Sequence, residues 1–403
     1  PIKTPTYLEI PLGMRNSLNH GHVLKLLKNL YGLKDTGRTW WEHLSEGMRK
    51  RGFVPSAVDP SVWIRHDCIA LCFVDDILFF SKTKAVGQEI IKSLSTDFAI
   101  TDEGDIDKYL GIKIRETAKG QYEMTQPHLI QRVIDAIPGM DTSSPALLPA
   151  KPSVLLSKDK GGTPRKDSWH YRSVIGMLNF ICNSTRPKLA YTVHQCARFA
   201  ECPMGCHEKA VKEIIKYLKG TAARGLNFSP DWSKGIQCYV DADFAGGWKK
   251  GEEQDPSSVL SRTGYVIMLA GCPIVWASRL QTEIALSTTE AEYIALSVAM
   301  RELIPFVNLI RELSSWMEFP EMKPNINCTV FEDNIGAEEL AKAPKMRPRT
   351  KHIGLKYHFF RNMVSKKVID IQSIHTDEQT ADIFTKPLVL VKFEKLRKKL
   401  NGW

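Results

Sequence analysis

Residues 237–244, QCYVDADF, decide how the second half of this chain is read. The run 237–240 predicts a buried strand that leaves Asp241 at its end, and Asp243, two positions on, shares that face of the strand. Further strands are predicted at 264–269 and 274–277 around Gly271-Cys272-Pro273. A long helix from Thr288, a strand at 327–331, helices, a strand at 368–374 and closing helices follow. This order of elements predicts an α/β (α+β) architecture.

Three more acids hold comparable places. Asp333 stands at the end of the strand segment 327–332, NCTVFE. Glu292 lies early in a helix that starts with the capping box Ser287-x-x-Glu290, and Ala295, Leu296, Ala299 and Leu303 follow it at helical spacing, so it points inward. Asp382 sits about one turn into a helix opened by Thr376-Asp377-Glu378-Gln379. Taken singly, each acid also fits a strand-end turn or a helix start. Taken together, acids that face a core are costly unless a cation neutralises them. Hard oxygen ligands suit Mg²⁺ or Mn²⁺, and two such ions about 3.5–4 Å apart would clamp the attacking and leaving oxygens of a phosphodiester.

In the first half, Trp40, Trp41, Leu44 and Met48 form one helical stripe after a Thr36 cap. The run IALCFVDDILFF (69–80) reads as a buried hairpin with Asp75-Asp76 at its tip, and 109–115 with 121–125 as a second hairpin around Lys119-Gly120. Residues 138–169, rich in Pro, Ser, Gly, Lys and Asp, read as a linker, and 171–220 as mostly helical.

The 403 residues suggest two or three domains, and 43% apolar with 25% charged residues is ordinary for a folded protein. The longest uncharged run, 263–278, is too short to span a bilayer. The chain begins at Pro1 with no visible secretory leader, which reads as a piece of something longer. Nine cysteines at irregular spacing fit free thiols in a reducing compartment. Cys196, Cys202, Cys206 and His207 have zinc-like spacing without a second ligand pair, so unliganded thiols are favoured. No glycine-rich phosphate loop, dinucleotide fingerprint or nucleophile elbow occurs, which sets aside P-loop hydrolysis, Rossmann redox chemistry and α/β-hydrolase chemistry.

The words LLKNLYGLKDTGRTWW (26–41), FVDD (73–76), YLGIKI (109–114), TRP (185–187), KYLKGT (216–221), YVDADFAG (239–246), STTEAEYIAL (287–296), EDN (332–334), KHIGLKYHF (351–359) and ADIFTKPL (381–388) occur in that order. With them the chain resembles, over almost its whole length, the reverse transcriptase and ribonuclease H part of a copia-type (Ty1-like) LTR retrotransposon polyprotein. The resemblance implies a truncated polymerase palm and thumb (1–137), the linker (138–169), a helical connection (170–230) and a ribonuclease H-like mixed-sheet domain (231–403). It implies Asp75 and Asp76 as polymerase metal ligands, Tyr31 to Arg38 against nucleotide and template, and the Gly111 hairpin as a primer grip. It further implies Asp241, Glu292, Asp333 and Asp382 as the four ribonuclease H acids around two Mg²⁺ or Mn²⁺ ions. Arg349, Lys351, His352 and Lys356 become nucleic-acid contacts, with His352 either an aid to product release or a plain phosphate contact. The implied partners are an RNA–DNA hybrid, RNA template and DNA primer, with dNTP bound only by a complete palm and no membrane. The implied location is intracellular, in cytoplasmic virus-like particles or the nucleus.

The departures are specific. The third polymerase aspartate expected upstream of Tyr7 to Pro11 is not in this sequence, so the chain as given is expected not to polymerise. Phe73 stands for Tyr, Asp35-Thr36-Gly37 for a stretch with Gln and Ala-Pro, Lys188 for Asp after Arg186-Pro187, and Gly354 for an acid after His352-Ile353. The reading is therefore a metal-dependent nuclease for RNA in hybrids, with RNA-directed DNA polymerase as the parent activity. The alternatives are a catalytically inactive nucleic-acid-binding relic and, third, a particle's structural protein. The net charge of +10 matches the surplus of residues 341–403, which hold 15 Lys+Arg against 5 Asp+Glu. Residues 342–356 and 392–399 are thus expected to hold the hybrid by its phosphates, the latter run alternatively forming a solvated tail.

Overall fold

A computed structural model describes residues 5–11, 22–158, 162–248, 250, 255–317, 328–343 and 355–403. The chain divides into two compact units, residues 1–102 and 103–403. The first unit ends within the 1–137 expected for the palm and thumb.

In the first unit an antiparallel sheet runs in chain order through Val54–Pro55, Val62–Arg65, Cys68–Phe73 and Asp76–Ser81. Cys68, Ala70 and Cys72 alternate toward a core closed by Leu44 and Met48 of helix Thr36–Lys50 and by Ile90 and Leu94 of helix Lys84–Leu94. The strands Cys68–Phe73 and Asp76–Ser81 meet at the pair Phe73↔Asp76, which leaves Val74-Asp75 as a two-residue turn. Val74 takes φ 53°, a region that β-branched residues rarely enter.

The second unit starts with the hairpin Ile112–Ala118 and Gln121–Thr125, as expected, but Leu226–Phe228 adds to its far edge. That pairing joins segments a hundred residues apart, which is why this hairpin belongs here. Helices Pro127–Asp135, Tyr171–Ser184, Ala190–Ala197 and Gly205–Gly220 contribute to one core. Among its described residues the segment 138–169 holds no helix or strand, yet it is packed: Met140 and Trp169 are buried in the same core, and Asp167 is ion-paired with Lys212 at 2.5 Å.

The mixed sheet has the order Cys272–Leu280, Arg262–Leu269, Ile236–Asp243, Cys328–Glu332, Asp370–Ser373. The first three strands are antiparallel, and the last two run parallel to the central one. One face carries helix Thr288–Trp316 through Tyr293, Leu296, Met300 and Leu303. The other, through Tyr239, Val266 and Met268, shares a core with the four helices and with Phe393, Leu396 and Leu400 of the terminal helix Leu390–Asn401. Helix Thr288–Trp316 is long and apolar enough to cross a membrane by length and composition alone, but its inward residues fill this core.

Candidate active site

Three acids arrive from three elements at one end of the mixed sheet. Asp241 lies near the end of the central strand, and the parallel register Tyr239↔Phe331 carries Asp333, just past the neighbouring strand, to the same end. Glu292 enters from helix Thr288–Trp316, whose start is fixed by Ser287 Oγ accepting from the Glu290 N–H at 3.1 Å. Glu290 turns back to accept from the Leu286 N–H at 2.8 Å and so serves the cap, not the site. Ligand oxygens of Asp241, Glu292 and Asp333 lie within 4.8 Å of one another. Burial pushes the Asp241 carboxyl up to about 7, with Lys386 opposing and Asp382 and Asp333 adding to the rise. Burial also drives Glu292 well above the ordinary carboxylate range, helped by the charges of Glu332, Asp241 and Asp333.

Glu332, which the sequence reading passed over, is fully buried beside this group and is likewise driven well up by burial. Its Oε1 accepts from the Asn334 N–H at 3.1 Å, and Asn334 in turn caps helix Ile335–Lys342. The signal was present: Cys328, Val330 and Glu332 share one face of their strand. Among the described residues, Glu292 Oε2 and Glu332 Oε2 are buried without a hydrogen-bond partner. Hard oxygen donors converging around a buried, unsatisfied carboxylate oxygen fit a divalent cation held by Asp241, Glu292 and Asp333.

Asp382, expected as the fourth ligand, stands apart from that group. It is fully buried in the short helix Asp382–Thr385, and both of its oxygens face ammonium groups. Lys386 Nζ lies 2.6 Å from Asp382 Oδ1 and 3.7 Å from Asp241 Oδ2, and Lys392 Nζ is ion-paired with Asp382 Oδ2. Burial would lower the Lys386 ammonium, but Asp241 and Asp382 outweigh it and hold its pKa above the ordinary value. Thr385 Oγ1 donates to Asp241 Oδ2, and Gln379 Nε2 to the Val240 carbonyl at 2.8 Å, so this segment is pinned along the central strand. Gly264, paired with Asp241 across the sheet, makes the approach possible: a Cβ there would lie 2.6 Å from Thr385 Cγ2 and 2.7 Å from Phe384 Cβ.

The other expected contacts are scattered. Asp75 and Asp76 are exposed at the hairpin turn, with Asp75 Oδ2 accepting from the Tyr31 hydroxyl and the Val74 carbonyl accepting from Trp40 Nε1 at 2.8 Å. Arg38 is exposed and paired with Glu42 at 3.0 Å. Leu110 and Gly111, at φ 48° and 79°, form the turn between Lys108–Tyr109 and Ile112–Ala118. Lys356 is ion-paired with Glu283, which also accepts from the Tyr357 hydroxyl at 2.9 Å. Arg349, Lys351 and His352 lie outside the described residues. Residues 392–399 lie in helix Leu390–Asn401, and Lys395 and Lys399, both partly exposed, bind Glu378. Of the zinc-like group, His207 spends one ring nitrogen on the Met204 N–H and the other on the Ser157 carbonyl, at 2.8 and 2.7 Å, which leaves it no lone pair for a metal.

Comparison with known proteins joins these parts. The family model for reverse transcriptase (RNA-dependent DNA polymerase) matches residues 1–151. The Pol polyprotein from transposon RE1 of Arabidopsis thaliana is 32% identical over 98% of this chain, and that from transposon TNT 1-94 of Nicotiana tabacum 34% identical over 100% of it. The chain belongs to the copia-type Pol family. It spans 26% of the RE1 polyprotein and 30% of the TNT 1-94 polyprotein, so it corresponds to one stretch of a longer relative in each case. Among solved structures, LC11-RNase H1, isolated from compost by a metagenomic approach, is 16% identical, with 38% of this chain and 92% of that one covered and a TM-score of 0.27. So slight a likeness adds nothing to the assignment, which rests on the polyproteins.

Proposed function

We propose that the unit carrying the mixed sheet is a divalent-metal-dependent nuclease that cuts the RNA strand of an RNA–DNA hybrid. The observation that carries this reading is the convergence of Asp241, Glu292 and Asp333 within 4.8 Å around a carboxylate oxygen that is buried and unpartnered. Mg²⁺ or Mn²⁺ held there would lower the pKa of a bound water and stabilise the charge that develops on the scissile phosphate. The chain's own residues do the rest. Asp241, Glu292 and Asp333 supply the ligand oxygens, and the Thr385 hydroxyl fixes the Asp241 carboxylate. Glu332 Oε1, held by the Asn334 N–H, fixes the turn that presents Asp333.

Purified chain with Mg²⁺ is expected to cleave the RNA of a hybrid, and Asp333→Asn to lower that rate by about a hundredfold or more. Binding of hybrid without cleavage at saturating Mg²⁺ would instead support the inactive, nucleic-acid-binding reading. For the polymerase activity of the family, the Val74-Asp75 turn presents two carboxylates, Asp75 and Asp76, where the resemblance calls for three. Primer extension on an RNA template is therefore expected to fail with these 403 residues alone.

A further inference from the structure

The two sides of the acid group differ in how their charge is balanced. On one side, Asp241 and Asp382 face two ammonium groups: Lys386 Nζ at 3.7 and 2.6 Å from the two carboxylates, and Lys392 on the free oxygen of Asp382. On the other side, the charges acting on Glu292 are those of Glu332, Asp241 and Asp333, all negative, and its Oε2 has no hydrogen-bond partner. A cation is wanted on the second side and already present on the first. The placement of Lys386 is built into the fold: it directly follows helix Asp382–Thr385, its N–H donates to the Asp382 carbonyl at 3.2 Å, and Pro387 comes next. Its side chain is 37% exposed, so the stem reaches in from the rim while the ammonium lies between the carboxylates.

We propose that the Lys386 ammonium takes the place of a second metal ion between Asp241 and Asp382, so that this site holds one divalent cation tightly, at Asp241, Glu292 and Asp333. The proposal rests on the nuclease reading above and replaces the two ions that the family resemblance implies. A fixed ammonium a few ångströms from the shared Asp241 repels an incoming dication, and for the second ion to bind, Lys386 must withdraw. Lys386 is thus a positioning residue that sets how many ions the site takes.

The test counts ions. Mn²⁺ is titrated into the full chain and followed by calorimetry and by the electron paramagnetic resonance of free Mn²⁺. Asp75→Asn and Asp76→Asn are present throughout, so that the exposed hairpin does not contribute. The chain with Lys386 is expected to bind one ion, with any second ion weaker by about tenfold or more. Lys386→Met, which keeps the stem, and Lys386→Gln are expected to bind two ions of affinities within about tenfold, while Lys386→Arg, which keeps the charge, stays at one. Circular dichroism establishes that each variant is folded, and Lys386→Gln stands in where Lys386→Met is not. Two ions of like affinity with Lys386 present, or one ion in every variant, would overturn the proposal and leave the nuclease reading standing. Failure of the Lys386 chain to bind any ion, or binding unaffected by Asp333→Asn, would overturn both.

Discussion

His194 shows how one side chain ties the helices to the sheet. It lies on helix Ala190–Ala197, and its Nδ1 accepts from Nη1 of the buried Arg262 at 2.9 Å. Arg262 sits opposite Asp243 in the sheet and also reaches Ser278 Oγ at 3.1 Å. Burial, with the charges of Arg262, Arg198 and Arg279, lowers the His194 imidazole to about 3. The sign follows. In the folded chain His194 stays neutral while the unfolded chain binds a proton below about 6.5, so its contribution is whole above that pH and is lost as pH falls toward 3. Asp241, Glu292 and Glu332, with raised values, act in the opposite sense and stabilise the fold more as pH falls. A difference between variants therefore isolates the histidine. Between pH 7 and 5 the unfolding free energy should fall by about 2 kcal/mol more in the chain with His194 than in His194→Gln, read from urea denaturation at both values. Equal slopes in the two proteins would show that burial and the neighbouring guanidinium groups do not hold the ring neutral.

The segment 379–386 carries Asp382, Thr385 and Lys386 to the acid group, and Gly264 is what lets it lie against the central strand. In Gly264→Ala the new Cβ meets Thr385 Cγ2 and Phe384 Cβ at 2.6 and 2.7 Å, with the Phe384 carbonyl carbon at 3.1 Å, so the backbone of the segment must move. Asp382 and Lys386 move with it. Cleavage of hybrid is expected to fall by about tenfold or more, with a loss of about 1–3 kcal/mol in stability from overpacking. Gly176→Ala is the control. That glycine is exposed within helix Tyr171–Ser184 with nothing within 4 Å of an added Cβ, so the substitution should stabilise the chain by about 1 kcal/mol and leave cleavage unchanged.

The same segment marks how far the sequence could be read. Local patterns carried the places of the hairpins, the five strands of the mixed sheet and the inward face of Glu292, because alternation and helical spacing are written in neighbouring residues; the burial expected of the first hairpin fails in its second strand, Asp76–Ser81, which is half-buried to exposed. Lys386 and Lys392 on Asp382, and Leu226–Phe228 beside Gln121–Thr125, are meetings of distant residues, and no local pattern specifies which cation turns inward. The same reason explains residues 392–399. Lys392, Lys395 and Lys399 hold Asp382 and Glu378, ion pairs with distant residues that a basic run alone does not reveal.

Charge is also misplaced, by the ordinary rules, in the core of the second unit. Lys188 is 1% exposed, its Nζ has no hydrogen-bond partner among the described residues, and it lies 3.3 Å from the centre of the Trp403 ring. Arg186, Arg224 and Arg397 lie over the same ring at 5.7, 4.9 and 4.7 Å. The ring of Trp403 and, for Lys188, that of Tyr217 at 5.6 Å are thus set against four basic side chains. Burial, followed by the charges of Arg186, Arg397 and Arg224, lowers the Lys188 ammonium well below its ordinary value. With the folded value depressed, the unfolded chain binds the proton more readily, so the fold is penalised below the unfolded pKa of about 10.5 and the penalty fades as pH rises to it. Lys188→Met keeps the stem and removes the charge. At pH 7 it should raise the unfolding free energy by about 1–3 kcal/mol, and at pH 10.5 the gain should shrink toward zero. Loss of stability at pH 7 would mean that the ammonium–indole contact outweighs the repulsion. The cluster also anchors the chain end, because Trp403 Nε1 donates to the Gly225 carbonyl at 2.7 Å and Asn401 Nδ2 to the Thr185 carbonyl at 3.4 Å. A chain relieved of the Lys188 charge should therefore hold helix Leu390–Asn401 more firmly, and with it Lys392 against Asp382. Slower amide exchange along that helix in Lys188→Met would show that the buried charge loosens the helix that carries Lys392.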